Sequence, residues 1–169
     1  MLPHIKEYER VSTTAVNAYV GPVLERYLSR LDGRLRVEGY GGPALITLSH
    51  GGVTPIEEAV RLAAGTVLSG PAGGLAGARH ASRLLNTEQM ITFDMGGTSS
   101  DISLIVDGDV TLSADRSVAE EKIALSSLDI VTLGAGGGSI AWVNAGGLLE
   151  VGPHSAGAIP GPACYGRGG

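Results

Sequence analysis

Two short apolar runs, Gln89 to Phe93 and Asp101 to Val106, are separated by Asp94, Met95, Gly96, Gly97, Thr98, Ser99 and Ser100. No other feature of the chain restricts its fold as much. Both runs have strand length and a glycine pair continues neither, so the segment predicts a β-hairpin with its turn at 94–100. The turn carries more chemistry than a hairpin requires. Gly96 and Gly97 let backbone N–H groups approach anionic oxygens with no side chain in the way. Thr98, Ser99 and Ser100 supply hydroxyl donors, while Asp94 and Asp101 can hold a hydrated Mg²⁺ or orient a water, as phosphoryl-transfer sites require. An ordinary tight hairpin with polar turn residues is the alternative. Two other phosphate motifs are ruled out or weakened. A Walker loop needs a Lys after its glycines, and the only lysines are Lys6 and Lys122. A dinucleotide fingerprint starting at Gly134 needs Gly where Ser139 stands.

Glycine is abundant elsewhere too, with 27 in 169 residues, against an average usage of about 7%. It falls in bursts within a chain that is 43% hydrophobic, which excludes collagen and flexible linkers. From Val16 to Leu35 apolar residues recur every three or four positions, predicting a helix with caps at Ser12 to Thr14, an awkward Pro22 and an end at Gly39. A buried strand is expected at 44–49. A second helix follows, begun by Thr54 as N-cap, Pro55 as first helical residue and Glu57 closing a capping box, and ended at Gly65. A third helix, about Gly70 to Leu85, carries Gly70, Gly73, Gly74, Gly77, Ala78 and Ala81 on one face, so a close approach to its backbone is expected. Its N-terminus at Gly70 to Gly73 could alternatively receive an anion. Beyond the hairpin, Asp107 and Gly108 predict a turn into a strand at 110–112. Further strands are expected at 122–125 and 128–133, a glycine loop at 134–139, a hairpin from Ile140 to Val151 and an aperiodic tail from Gly152.

Charge and composition exclude several classes of function. The net charge of −5 offers no basic field for nucleic acid. No apolar run approaches the roughly 18 residues of a membrane helix, and the start does not resemble a signal peptide, so a cytoplasmic location is expected. Cys164 is the single cysteine and no Cys/His cluster has zinc spacing. As a nucleophile Cys164 has no His that can be placed beside it; a buried or idle thiol is the alternative. His50 could face a ligand or be a plain loop residue, and His4, His80 and His154 share no spacing.

Four stretches together resemble the hydantoinase A/5-oxoprolinase family: Thr66 to Gly74, Asp94 to Asp101, Leu128 to Ala141 and Ser155 to Gly169. The similarity runs through nearly the whole chain. It implies an α/β actin-like ATPase (ribonuclease H-like) fold, here partial, with an antiparallel-hairpin-containing mixed sheet flanked by helices. It also implies ATP and Mg²⁺ as cofactors, a small cyclic amide as substrate, and activation of the ring carbonyl by phosphorylation. Asp94 and Asp101 become catalytic and metal-holding residues, and Gly96, Gly97, Thr98 and Ser99 the second phosphate loop. Gly134, Gly136, Gly137 and Gly138 would lie near the nucleoside, and the helix from Gly70 would connect two lobes. Residues 1–86 are expected to form a helical and strand segment ending in that helix, and 87–169 part of a second lobe. The family's earlier Gly-Gly-Thr turn does not occur before Asp94, so a fragment or split subunit is expected, completed by another lobe or subunit. A non-catalytic partner-binding piece and a subunit of an ATP-dependent ketone carboxylase remain alternatives.

Overall fold

A computed structural model describes residues 7–113, 116–118 and 121–169. They form two units, one reaching to Ala81 and taking in Val110–Asp129, the other made of Ser82–Asp109 and Ile130–Gly169. A single division after residue 86 was the expectation from motif order. The segment 110–129 belongs with the first unit through contacts that no local pattern announces. His4 and Lys6 lie outside the described residues.

The first unit is organised by α1, Glu7–Val37. Pro22 lies inside this helix. Gly21 before it has no Cβ for the proline ring to strike, which removes one of the two clashes that usually end a helix at proline. Ser12 to Thr14 are helix interior rather than caps. The Thr13 and Thr14 hydroxyls instead donate to the carbonyls of Glu9 and Arg10 at 2.6 and 2.7 Å, the i−4 bonding open to a helical Thr. The C-terminus follows the expected chemistry. Gly39, at φ 86°, donates to the Arg36 carbonyl and Tyr40 to that of Leu35, a Schellman cap that needs a residue at positive φ. Only part of the predicted stripe is used, since Leu28 is buried while Tyr19, Val23 and Tyr27 are exposed.

Strand β1, Leu45–Thr47, pairs antiparallel with β2, Val53–Pro55. This second strand overturns the capping box. Thr54 sits opposite Ile46, and α2, Ile56–Arg61, starts after Pro55, which is the N-cap and makes no side-chain cap bond. Thr54 is drawn into a ladder before the helix begins. A 3₁₀ turn at Ala63–Thr66 takes the place of the helix expected to run to Gly65. The Asn17 side chain joins these pieces to α1, donating to the Arg61 carbonyl and accepting from the Ala64 N–H at 3.0 Å. Ala59, Ala63, Ala64, Ala72 and Leu75 are buried, giving the small aliphatic core that the few aromatics imply.

Helix α3, Ser69–Leu85, occupies the predicted span. Its glycine face does not do what was expected. Ala72, Leu75 and Ser82 are the buried positions, whereas a Cβ built at Gly70 or Gly77 meets nothing within 4 Å and one at Gly73 only touches Thr47. At these three glycines no described residue comes closer than ordinary van der Waals contact.

The second unit centres on one antiparallel sheet. Strand β3, Met90–Met95, and β4, Ser100–Val106, form the predicted hairpin, with Asp94 and Met95 inside β3 so that the turn is 96–99. Asp107 and Gly108, at φ 56° and 74°, link β4 to β5, Asp109–Val110. Two consecutive positive φ values are the signature of a two-residue hairpin turn. Back in the first unit, β6, Leu112–Ser113, is paired through a longer excursion. Strands β7, Arg116–Val118, and β8, Glu121–Ile123, pair with each other, and β9, Ser127–Leu128, returns to β6. The strand expected at 122–125 is therefore β8, shifted toward the N-terminus. The Ala124 N–H donates to Thr13 Oγ1 and that of Leu128 to the Ser49 carbonyl, both at 2.9 Å, which ties 110–129 to the first unit.

Strand β10, Val131–Leu133, then adds to the free edge of β4. The predicted hairpin beyond it is β11, Ser139–Val143, with β12, Leu149–Ser155, so the segment expected to be aperiodic from Gly152 begins as strand and later holds a 3₁₀ turn at Ala163–Tyr165. No described helix is long and apolar enough to cross a membrane.

Candidate functional site

Strand alternation sorts the β3–β4–β10 sheet into two unlike faces. One face bears Ile91, Phe93, Met95, Leu104, Val131 and Leu133, all exposed. At the turn end of the other face, Asp94 stands opposite Asp101, and Asp101 opposite Thr132 on β10. Two like charges facing each other across a ladder weaken it. Local conflicts of this kind are found at functional or strained positions, which makes the turn end of this face the candidate site.

Thr132 moderates part of the conflict. Its hydroxyl donates to Asp101 Oδ1 at 2.6 Å, whereas the Asp94 carboxylate is exposed and has no hydrogen bond or ion pair among the described residues. Sequence reasoning missed Thr132, 31 residues beyond Asp101; its threonine-in-strand pattern is too common to single it out. No group of three or more His, Cys, Asp or Glu able to hold a metal occurs among the described residues. Mg²⁺ needs only one or two carboxylates when waters and phosphate oxygens complete its shell.

The turn itself differs in detail from the expectation. Gly96 N–H is not available to a ligand, because it closes the turn on the Ser99 carbonyl at 2.8 Å. Ser100 is buried and its hydroxyl donates to the Ala135 carbonyl at 2.6 Å, which removes it from the set of outward donors. What stays available is narrower. The N–H groups of Gly97 and Thr98 have no partner among the described residues, Thr98 is exposed, and nothing lies within 4 Å of where a Gly97 Cβ would stand.

The glycine loop after β10 lies directly on this turn. Gly137 N–H donates to the Gly96 carbonyl at 2.9 Å and Gly138 N–H to that of Gly97 at 2.7 Å, while Gly136 N–H is taken by Ser139 Oγ at 2.8 Å. Two motifs read separately in the sequence thus form one piece of backbone. A Cβ on Gly136 would come within 2.7 Å of the Gly96 oxygen and the Ser99 nitrogen, and one on Gly138 within 2.9 Å of the Gly97 oxygen. Nothing lies within 4 Å of where a Gly134 Cβ would stand.

The isolated candidates separate from this site. Cys164 is an exposed free thiol. His50 is exposed and its Nδ1 accepts from the Gly52 N–H at 3.2 Å. His154 stacks edge-on against Trp142, and His80 is exposed on α3.

Residues 10–169 match the family model described as hydantoinase/oxoprolinase. The chain is 42% identical over 169 residues to caprolactamase subunit alpha of Pseudomonas jessenii, covering 100% of this chain and 24% of that protein. It is 39% identical over 170 residues to 5-oxoprolinase 1 of Arabidopsis thaliana, covering 100% of this chain and 13% of that one. In three dimensions it is similar to a nucleotide-free structure of acetone carboxylase, which carries out ATP-dependent acetone carboxylation. The TM-score is 0.78 at 31% identity, over 92% of this chain and 22% of the other. The chain therefore spans about a quarter or less of each of these relatives. By its matched length, and by the mixed α/β architecture it shares with that neighbour, the chain belongs to the hydantoinase/oxoprolinase family.

Proposed function

We propose that this chain supplies a phosphate-binding turn to an ATP-dependent enzyme that hydrolyses a cyclic amide, and that the turn sits in an actin-like, ribonuclease H-like lobe. One observation carries the reading. Opposed carboxylates of Asp94 and Asp101 end at a turn whose Gly97 and Thr98 N–H groups lack partners among the described residues and whose Gly97 backbone is uncovered.

These residues fit a magnesium polyphosphate in charge and in donor type. Asp94 and Asp101 would hold the hydrated cation, and the Gly97 and Thr98 N–H groups, with the Thr98 and Ser99 hydroxyls, would donate to phosphate oxygens. Bound there, Mg-ATP would supply a phosphoryl group to the amide oxygen, making the ring carbon electrophilic enough for water to add and the ring C–N bond to break, with phosphate then released by hydrolysis. Neither Gly96 nor Gly97 has a positive φ, so backbone handedness does not demand glycine at 97. Access does, because any Cβ there would stand between the backbone and an approaching phosphate.

A partner lobe or subunit completes the proposal. Phe93, Met95, Val131 and Leu133 lie exposed on the apolar sheet face, and an apolar patch of that kind marks a surface made for burial. A second reading, a subunit of a ketone carboxylase, is favoured by the fold similarity to acetone carboxylase. Product analysis of the assembled enzyme decides between them: ring-opened product from a lactam, hydantoin or 5-oxoproline with ATP supports the first, and carboxylated ketone formed from bicarbonate supports the second.

Calorimetric titration of Mg-ATP into the 169-residue chain tests nucleotide binding. Binding heat that disappears in Asp94→Asn is expected. No heat at millimolar nucleotide would leave only a non-catalytic, partner-binding role for the isolated chain.

A further inference from the structure

Gly136, Gly137, Gly138 and Thr132 share a property that the phosphate reading does not use: their donors point into the protein rather than at a ligand. Gly137 and Gly138 spend their N–H groups on the carbonyls of Gly96 and Gly97. Gly136 gives its N–H to Ser139 Oγ, and Ser100 ties the base of β4 to the Ala135 carbonyl. Three bonds thus join two loops some 40 residues apart in sequence. Thr132 gives its proton to one oxygen of Asp101.

The consequences for the turn are specific. A carbonyl that accepts a hydrogen bond from behind is fixed in direction, and in a trans peptide the N–H of the next residue lies in the same plane and points the opposite way. Gly138 pulling on the Gly97 carbonyl therefore fixes the plane of the peptide that carries the Thr98 N–H, and Gly137 pulling on the Gly96 carbonyl fixes the one that carries the Gly97 N–H. These two N–H groups have no partner among the described residues. Thr132 likewise occupies one side of the Asp101 carboxylate, leaving the remaining lone pairs for a cation. A side chain at 136 would separate the loops, since its Cβ would meet turn backbone at 2.7 Å.

We propose that Thr132 and the loop 134–139 are positioning elements. The loop holds the Gly97 and Thr98 N–H groups toward an anion, and Thr132 orients Asp101 toward a divalent cation. The inference rests on the phosphate reading of the turn and assigns the 136–138 glycines to its support, in place of the nucleoside contact that the family resemblance implies for them.

Mn²⁺ binding followed by electron paramagnetic resonance in the presence of ADP, on the 169-residue chain, tests this. Wild type, Thr132→Ser, Thr132→Val, Gly136→Ala and Asp101→Asn are compared. Thr132→Ser keeps the donor and should bind like wild type; Thr132→Val removes it and should weaken Mn²⁺ binding by about 10-fold or more, the usual effect of losing a group that orients a metal ligand. Amide exchange gives an independent readout, with Gly137 and Gly138 protected in wild type and Gly97 and Thr98 fast. If Gly136→Ala folds, it should lose that protection and bind ADP more weakly.

Failure of the two proposals is distinguishable. No Mn²⁺–ADP binding by wild type, or unchanged binding in Asp101→Asn, overturns the phosphate reading. Loss in Asp101→Asn with wild-type affinity in Thr132→Val, or fast exchange at Gly137 and Gly138, overturns the positioning role and leaves the phosphate reading standing. Should Gly136→Ala fail to fold, the Thr132 pair and the exchange pattern still decide.

Discussion

The glycines at 136 and 138 and those at 77 and 97 are the same residue in opposite environments. At Gly136 the backbone of another loop stands where a side chain would begin, and at Gly138 it is almost as close; at Gly77 and Gly97 that space is empty. One pair is glycine because two segments of backbone meet. At the other pair a Cβ meets nothing within 4 Å among the described residues, and the two members differ again: Gly97 borders opposed carboxylates and unpartnered N–H groups, whereas Gly77 lies on a helix face without them. Glycine content by itself therefore distinguishes neither packing from access nor access from idleness. Neighbouring chemistry makes the distinction.

Substitutions at these positions should separate the two environments. Gly136→Val should have the largest effect, a destabilisation of about 3 kcal/mol or more, because the clash is with backbone that cannot rotate away. Chemical denaturation checks it, and an unchanged midpoint would mean that the two loops do not touch. Gly77→Ala should act in the other direction, stabilising by about 1 kcal/mol, since alanine is the better helix former and has room. A loss of stability there would reveal a close partner for the glycine face. Asp94→Asn should relieve the like-charge pair and stabilise the hairpin by about 0.2–1 kcal/mol, while abolishing ATP-dependent turnover in the assembled enzyme. Wild-type turnover would remove Asp94 from the site. Gly97→Ala should have the smallest effect on folding, within about 0.5 kcal/mol, yet weaken phosphate binding. Unchanged nucleotide affinity would reduce the turn to a hairpin.

The parts of the fold that depend on near neighbours were legible in the sequence. The 89–106 hairpin followed from two strand-length apolar runs around a glycine pair, the cap at Gly39 from glycine after an apolar period, and the 140–151 hairpin from its turn residues. Where a strong local signal met a competing long-range partner, the partner won. Thr54 has every mark of an N-cap, but pairing with Ile46 places it in a strand. Ser12 to Thr14 read as caps, but Thr13 is buried inside α1 and accepts a bond from Ala124, 111 residues away.

At the site, residue types and spacing revealed the carboxylates and the uncovered Gly97. They did not reveal which donors are free. Gly96 and Ser100 look like ligand donors in sequence, and only the folded turn shows Gly96 closing on Ser99 and Ser100 bonded to Ala135. Thr132 was invisible for the same reason, since its partner is on a neighbouring strand.

In the proposed function the N–H groups of Gly97 and Thr98 receive phosphate. Titrating tripolyphosphate into ¹⁵N-labelled chain and following the amide resonances tests it most directly, because even millimolar binding moves the peaks. The largest shifts are expected at Gly97 and Thr98, smaller ones at Gly137 and Gly138, and none on the Gly70 to Gly77 face of α3. Shifts confined to α3, or none at Gly97 and Thr98 at saturating tripolyphosphate, would contradict it.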